Sequence, residues 1–385
     1  MNMNMPSSTP LYKQIEASLK PLFSKRIPKE VFGKSPSSIF IGKYNYPNVF
    51  AGPMVGLTDD VSNADSPGNW YGLDVAKIVE YRLSLARGEK VTGVKDVGNR
   101  VVRDLQDTAL SKKDLDVEVR FEREPFQRLS FSTYLQPMGA SGKMERFSLA
   151  DNPSIPKKVL SLVEEKVNVR TAVDEGFSYF SDVYYLQRVL SSGALGKEKK
   201  MVPTRWSITA ADSILANHLL EEVREYRSVD KIAVYSNGWM GNHFEIAVLP
   251  GMWEFEQFES WEPNSYWAAK AKQLEYEYEP FEGRTTYAER EGGGFYAGRL
   301  ATVEALHRMN RQGRCIVFRE ISDEYQIPVG VFQVRENCRQ ALKNTPTYFE
   351  TREEMFSYLK TKLKRPLSQY LAKSRVLTQR KLSDF

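Results

Sequence analysis

The chain of 385 residues has only two cysteines, Cys315 and Cys338, and three histidines. Two cysteines cannot staple a secreted domain, so the expectation is a reducing, cytoplasmic setting. No stretch comes near the roughly 18 uninterrupted apolar residues of a membrane helix, and no membrane is expected as a partner. The opening MNMNMPSSTPLYKQ has no apolar run that could serve as a signal peptide. No repeat of fixed period is present, which argues against a solenoid. What the chain does have is 41% hydrophobic and 12% aromatic content, the composition of a folded protein. Its length suits two or three domains, or one large domain with elaborations.

Charge is unevenly placed. The net charge is +5, but residues 360–385 hold eight cations against one acid, Asp384, so this tail carries +7 and the rest of the chain −2. A near-neutral body with a basic tail suggests a polyanion or an acidic protein surface as partner; a solvated helix face is the plainer alternative.

Residues 1–35 are polar, contain four prolines and read as a loosely ordered lead-in. SIFIGKYNYPNVFAGPMVG reads as strand, turn and strand. In DSPGNWYGLDVAKIVEYRLSLARG, Asp74 is placed to cap a helix whose apolar spacing runs to Gly88. Residues 95–112 form a second helix, and LDVEVRF alternates as a strand. From about 153, SIPKKVLSLVEEKV and TAVDEGFSYFSDVYYLQRVLSS read as helices, and Asp212 as the cap of a helix starting at Ser213. KIAVYS, HFEIAVL and WEFEQFE follow as an antiparallel meander turning at NGWMGN and PGM. EGGGFYAGRLATVEALHRM is a glycine-opened helix, while CIVFREI and VGVFQVRE read as strands. The expected class is mixed α+β, with that meander in the C-terminal half and many flanking helices. Boundaries are expected near 36, 153 and 366. They give a lead-in (1–35), an N-terminal α+β region (36–152), a C-terminal α+β domain (153–365) and a basic tail (366–385).

Catalytic chemistry leaves little trace. His218 lies beside Ile214 and Leu219 on an apolar helix face, the place of a core or boundary histidine. His307 has Glu304 and Arg311 one turn away. His243 and Glu245 would share one face of a strand, and this H-x-E pair occurs in zinc deaminases, but the P-C-x-x-C partner is missing and two cysteines cannot close a zinc site. No metal and no cofactor are expected. EGGGFYAG fits neither G-x-G-x-x-G nor the P-loop. Its glycines could expose N–H groups to an anion beside Arg290 and Arg299, or simply permit close packing. VPTRWSITAAD brings Arg205 and Trp206 together, a pair suited to phosphate and base contacts by charge and stacking. The alternative is a structural turn with Arg205 on a carboxylate and Trp206 in the core. Whether the chain is an enzyme stays open. An enzyme acting on nucleic acid or a nucleotide would use residues 203–212, 237–245 and 290–299, with Arg205, Glu245, Arg290 and Arg335 converging in one pocket.

The last seven residues are Gln379, Arg380, Lys381, Leu382, Ser383, Asp384 and Phe385. Gln379, Leu382 and Phe385 are three apart, and one helical or 3₁₀ turn brings such positions to one face. An amide, an aliphatic and an aromatic side chain then point together, suited to an apolar pocket with a polar site beside it. Arg380 and Lys381 would steer the turn toward an acidic partner. The spacing matches the sliding-clamp-binding pattern Q-x-x-L-x-x-F, the PIP box. That pattern usually ends in two aromatics, and here there is one.

SIFIGKYNYPNVFAGPMVG, DSPGNWYGLDVAKIVEYRLSLARG, VPTRWSITAAD, GNHFEIAVLPGMWEFEQFE, EGGGFYAGRLA and GVFQVREN resemble, in the same order, stretches of the archaeal Nre DNA-repair family. The resemblance runs from about residue 35 to the end. It implies a protein of DNA-damage repair that binds the sliding clamp PCNA through Gln379–Phe385, with DNA as a further partner. Arg205, Trp206, Arg290, Arg299 and Arg335 are the candidate nucleic-acid or anion contacts. Many members of the family carry an N-terminal cysteine cluster resembling a zinc finger. Here the first cysteine is Cys315, so the chain is similar to the branch without it.

Overall fold

The computed structural model describes residues 26–126, 129–262, 265 and 274–378, with Lys13 and Ala17 ahead of them. The chain divides into two compact units, residues 1–215 with 327–330, and residues 216–326 with 331–385. Each carries one six-stranded sheet, so the mixed α+β class is borne out. Among the described residues no helix is long and apolar enough to cross a membrane.

In the first unit the strands are β1 (Glu30–Ser35), β2 (Ile39–Ile41), β3 (Asn48–Gly56), β4 (Leu85–Gly93), β5 (Leu115–Phe121) and β6 (Ser141–Leu149). They lie in the order β1-β5-β6-β4-β3-β2. All neighbours are antiparallel except β4 and β6. β1 falls inside the polar lead-in and pairs with β5. In β5 the alternation is complete: Leu115, Val117, Val119 and Phe121 enter the core with Val49, Ala51 and Val55 of β3.

The helices here are α1 (Val75–Leu83), α2 (Arg100–Leu110), α3 (Lys157–Glu164), α4 (Val169–Glu175), α5 (Phe177–Phe180) and α6 (Val183–Ser192). The Asp74 carboxylate accepts the Lys77 N–H at 2.7 Å, as a capping residue should. The helix it opens stops at Leu83 rather than Gly88, because LARGEKVTG becomes β4. Gly88 is not a helix stop. It lies where β3 and β4 press together, and a Cβ on Gly52 would stand 1.9 Å from the Gly88 carbonyl oxygen.

One helix, α7 (Thr204–Val223), runs through the boundary between the units. It starts nine residues before the expected Ser213, with Trp206 and Ser207 N–H donating to the Pro203 carbonyl. Asp212 is fully buried within the helix and not its cap.

In the second unit the strands are β7 (Ile232–Trp239), β8 (Asn242–Leu249), β9 (Glu254–Trp261), β10 (Leu274–Glu279), β11 (Arg314–Ile321) and β12 (Thr347–Phe349). Their order is β10-β9-β11-β8-β7-β12. β7 and β8 form the expected hairpin, closed by Met240 and Gly241 at φ 53° and 64°. β9 does not follow beside β8, because β11 lies between them, antiparallel to β8 and parallel to β9. Every residue of β11 is buried, and a strand covered on both faces belongs at the centre of a sheet.

The helices are α8 (Gly293–Met309), α9 (Phe332–Ala341), α10 (Arg352–Lys362), α11 (Leu367–Leu371) and α12 (Arg375–Thr378). The stretch read as a strand, VGVFQVRE, enters α9 instead. Phe332 to Cys338 are all buried, so neither a period of two nor one of 3.6 shows in their polarity. One face of the sheet packs Ala247, Leu249, Phe258, Ile316 and Phe318 against Met355, Leu359, Tyr370, Val376 and Leu377 of α10–α12. The other face carries Phe255, Gln257 and Glu259 toward α8, with Phe295 on Phe255 at 5.2 Å.

Candidate nucleic-acid interface

The sequence KYNYP forms the turn between β2 and β3, and Asn45 takes φ 62° within it. Three hydrogen bonds bring the turn to the start of α7. Ile41 N–H donates to Thr204 Oγ1 (2.9 Å), 163 positions away. Val94 N–H donates to the Pro47 carbonyl (2.9 Å), and Met201 N–H to the Val94 carbonyl (2.8 Å).

This frame sets Arg205 and Trp206 beside residues that sequence spacing did not single out. The Trp206 and Tyr46 ring centroids are 5.3 Å apart, tilted by 54°. The Arg205 guanidinium lies 3.6 Å over the Tyr134 ring, and Lys43 Nζ lies 5.0 Å from the Tyr44 ring. Trp206 is 46% exposed, Tyr46 45% and Tyr44 53%, so three large rings face solvent. Trp206 is therefore not a core residue. Among the described residues the Arg205 guanidinium meets a ring and no carboxylate is found on it. Burial first, and then the like charge of Arg205, push the Lys43 ammonium below the usual lysine range. Two like charges that act on each other repel, and an anion settling between them would relieve the repulsion. The signal that could have found this half of the patch is the interleaving of Lys43, Tyr44 and Tyr46 in one turn.

The other candidates fall elsewhere. Arg299 is buried on α8, with Nε and Nη2 donating to Glu279 Oε1 (2.9 and 2.7 Å) and Nη2 also to Asn217 Oδ1 (2.8 Å). Arg290 is exposed, and its backbone N–H donates to Glu277 Oε1 at 3.0 Å. Arg335 is buried on α9. Glu245 faces the opposite way, accepting from Ser236 Oγ at 2.7 Å, and Ser236 Oγ lies 3.3 Å from the Tyr358 hydroxyl of α10. Asn337 of α9 instead meets Asn237, on the other side of the strand from Ser236. Glu245 and Arg335 are thus separated by the sheet. His243 Nε2 stands 3.0 Å from Glu245 Oε1, His307 Nε2 is 3.1 Å from Glu222 Oε2, and His218 is half-buried. No group of three or more His, Cys, Asp or Glu placed to hold a metal ion is found among the described residues.

The glycine turn packs closely against the sheet. A Cβ on Gly298 would stand 2.1 Å from Gln257 Oε1, and one on Gly294 2.6 Å from Glu259 Oε1. Only glycine lets α8 approach these side chains so closely. The protein's own acids surround the start of α8. Burial, then Glu259 and Glu277, hold the Glu291 carboxyl well above the usual carboxylate range.

Part of the basic tail is folded down. Glu320 accepts the Lys364 N–H (2.8 Å), the Arg365 N–H (2.9 Å) and the Tyr370 hydroxyl (2.8 Å). Glu256, fully buried, accepts the Ser374 hydroxyl (2.5 Å) and the N–H groups of Arg375 (2.5 Å) and Val376 (2.9 Å). These charge-assisted bonds fix the chain as far as Thr378. The motif residues Gln379, Arg380, Lys381, Leu382, Ser383, Asp384 and Phe385 lie outside the described residues.

Comparison with known proteins adds a lineage. No solved structure matches the chain. Two curated relatives from Archaeoglobus fulgidus are each 34% identical. DNA repair protein NreB matches over 379 residues, 96% of this chain and 94% of its own. DNA repair protein NreA matches over 330 residues, 85% and 83%. DNA repair protein NreA of Haloferax volcanii is also 34% identical, over 336 residues, 83% of this chain and 80% of its own. The family models of the archaeal Nre N-terminal and C-terminal regions match residues 6–268 and 279–385. With both regions matched over nearly its whole length, this chain belongs to the archaeal Nre family.

Proposed function

We propose that this chain is a DNA-repair factor of the cytoplasm that contacts DNA and is recruited to the sliding clamp PCNA through Gln379–Phe385. The names of its relatives support the repair role. The observation that carries the clamp reading is the spacing of Gln379, Leu382 and Phe385 directly after a segment fastened by Glu256 and Glu320. A short motif next to an anchored helix can present Leu382 and Phe385 to an apolar pocket while the anchored part stays folded. The exposed rings beside Arg205 and Lys43 support the DNA contact, as cations and stacking surfaces for phosphates and bases.

The test is a calorimetric titration of an archaeal PCNA with the full chain. The double variant Leu382→Ala, Phe385→Ala should bind at least roughly 30-fold more weakly, the loss expected of anchor residues. An unchanged affinity would remove the clamp from the proposal.

A further inference from the structure

We infer that Lys43, Tyr44, Tyr46, Tyr134, Arg205 and Trp206 form a binding site for an unpaired strand of nucleic acid, taking its bases on the exposed rings and its phosphates on the two cations. This rests on the DNA-contact part of the function proposed above and goes further, since it names the site and the form of DNA.

Three features of the patch select this ligand. Trp206 and Tyr46 are nearly half exposed, and at a 54° tilt they are not stacked face to face on each other. Open ring faces offer a stacking platform to any base. In a duplex each base face is already covered by its neighbours, so the rings can take only bases that have left the stack. The cations are also placed for a backbone beside those bases. The Arg205 guanidinium rests over the Tyr134 ring, which fixes its position, and the Lys43 ammonium is close enough to feel its charge. Finally, the patch is built rather than incidental. The hydrogen bonds from Ile41 to Thr204, Val94 to Pro47 and Met201 to Val94 lock the turn and the helix start together. The site is thus preorganised before a ligand arrives.

The experiment uses the full chain and fluorescence anisotropy with a labelled oligothymidylate, compared with a duplex of equal length, over a range of salt. The wild type should prefer the unpaired strand. Trp206→Ala should raise Kd roughly 10-fold with little change in salt dependence, because stacking carries no charge. Trp206→Phe should recover much of that loss. Arg205→Gln and Lys43→Gln should each flatten the slope of log K against log salt by about 0.7, one phosphate contact. Circular dichroism melting of every variant checks its fold. The inference is overturned if the wild type binds both DNAs equally or neither, or if folded Trp206→Ala and Arg205→Gln bind like the wild type. If the clamp titration succeeds while the oligothymidylate is not bound, the clamp reading stands and this inference falls. If the chain binds oligothymidylate with the losses expected for Trp206→Ala and Arg205→Gln but does not bind the clamp, this inference stands and the clamp reading falls.

Discussion

Arginine is placed very differently in the polar layer between the second sheet and α8 and at the turn between β2 and β3. In the first region each guanidinium has a protein carboxylate: Arg299 on Glu279 (2.7 Å), Arg319 on Glu259 (2.5 Å) and Arg284 on Glu277 (2.8 Å). In the second, Arg205 has an aromatic ring beneath it and a lysine beside it. A buried arginine with a carboxylate is part of the fold, because removing either partner strands a charge in a low-dielectric interior. A partly exposed arginine on a ring costs little to hold, and its charge stays available to an outside anion. The difference sorts the candidate contacts chemically. Arg205 remains a candidate contact under the proposed function, and Arg299 is an internal tie between α8 and β10.

The largest effect should come from breaking such a tie. Both Arg299 and Glu279 are under 5% exposed. Glu279→Ala should cost about 3–5 kcal/mol in urea unfolding, since it leaves the Arg299 charge buried and unpaired. A loss below about 1 kcal/mol would mean that α8 is held by its apolar contacts alone.

A pH effect of intermediate size should follow from Glu291. Its carboxyl is raised, chiefly by burial and then by Glu259 and Glu277, so the folded chain holds this proton to higher pH than the unfolded chain does. The stability this proton confers is therefore complete below the unfolded glutamate pKa, about 4.3. It is lost as pH rises through the folded value. Glu291→Gln, which keeps the neutral shape, should flatten the decline seen in urea midpoints above that range. A variant that declines like the wild type would show that Glu291 is ionised in the fold.

The smallest effects belong to the turn. Arg205→Gln and Trp206→Ala should change unfolding free energy by less than about 1 kcal/mol, as surface substitutions do. A much larger loss for either would mean that the patch holds the fold together, and the contrast with Arg299 would collapse.

How much of this could be read in the sequence depended on whether local pattern or distant contact decides. The β7–β8 hairpin was legible in NGWMGN, where Gly241 supplies the positive φ that the turn requires. The Asp74 cap was legible because the capping bond spans three residues. α9 was not, because a helix buried all round shows no polar face. β11 entering between β8 and β9 was not legible either, since strand order comes from long-range pairing and the next strand in sequence is only the commonest neighbour. The site divides along the same line. Arg205 and Trp206 stand out as a pair within one helix start. Their companions Lys43, Tyr44 and Tyr46 lie some 160 positions earlier, joined to them through the bond between Ile41 and Thr204.

Glu256 and Glu320 together act as cleats on a rope. They fix the backbone at Lys364, Arg365, Arg375 and Val376, so little free line is left before Gln379. Seven residues reach at most about 25 Å when fully drawn. Under the clamp reading, a ring caught by Leu382 and Phe385 is moored close alongside the second unit. So short a tether would hold any second contact between the ring and the second unit at high effective concentration, making that contact an intramolecular one.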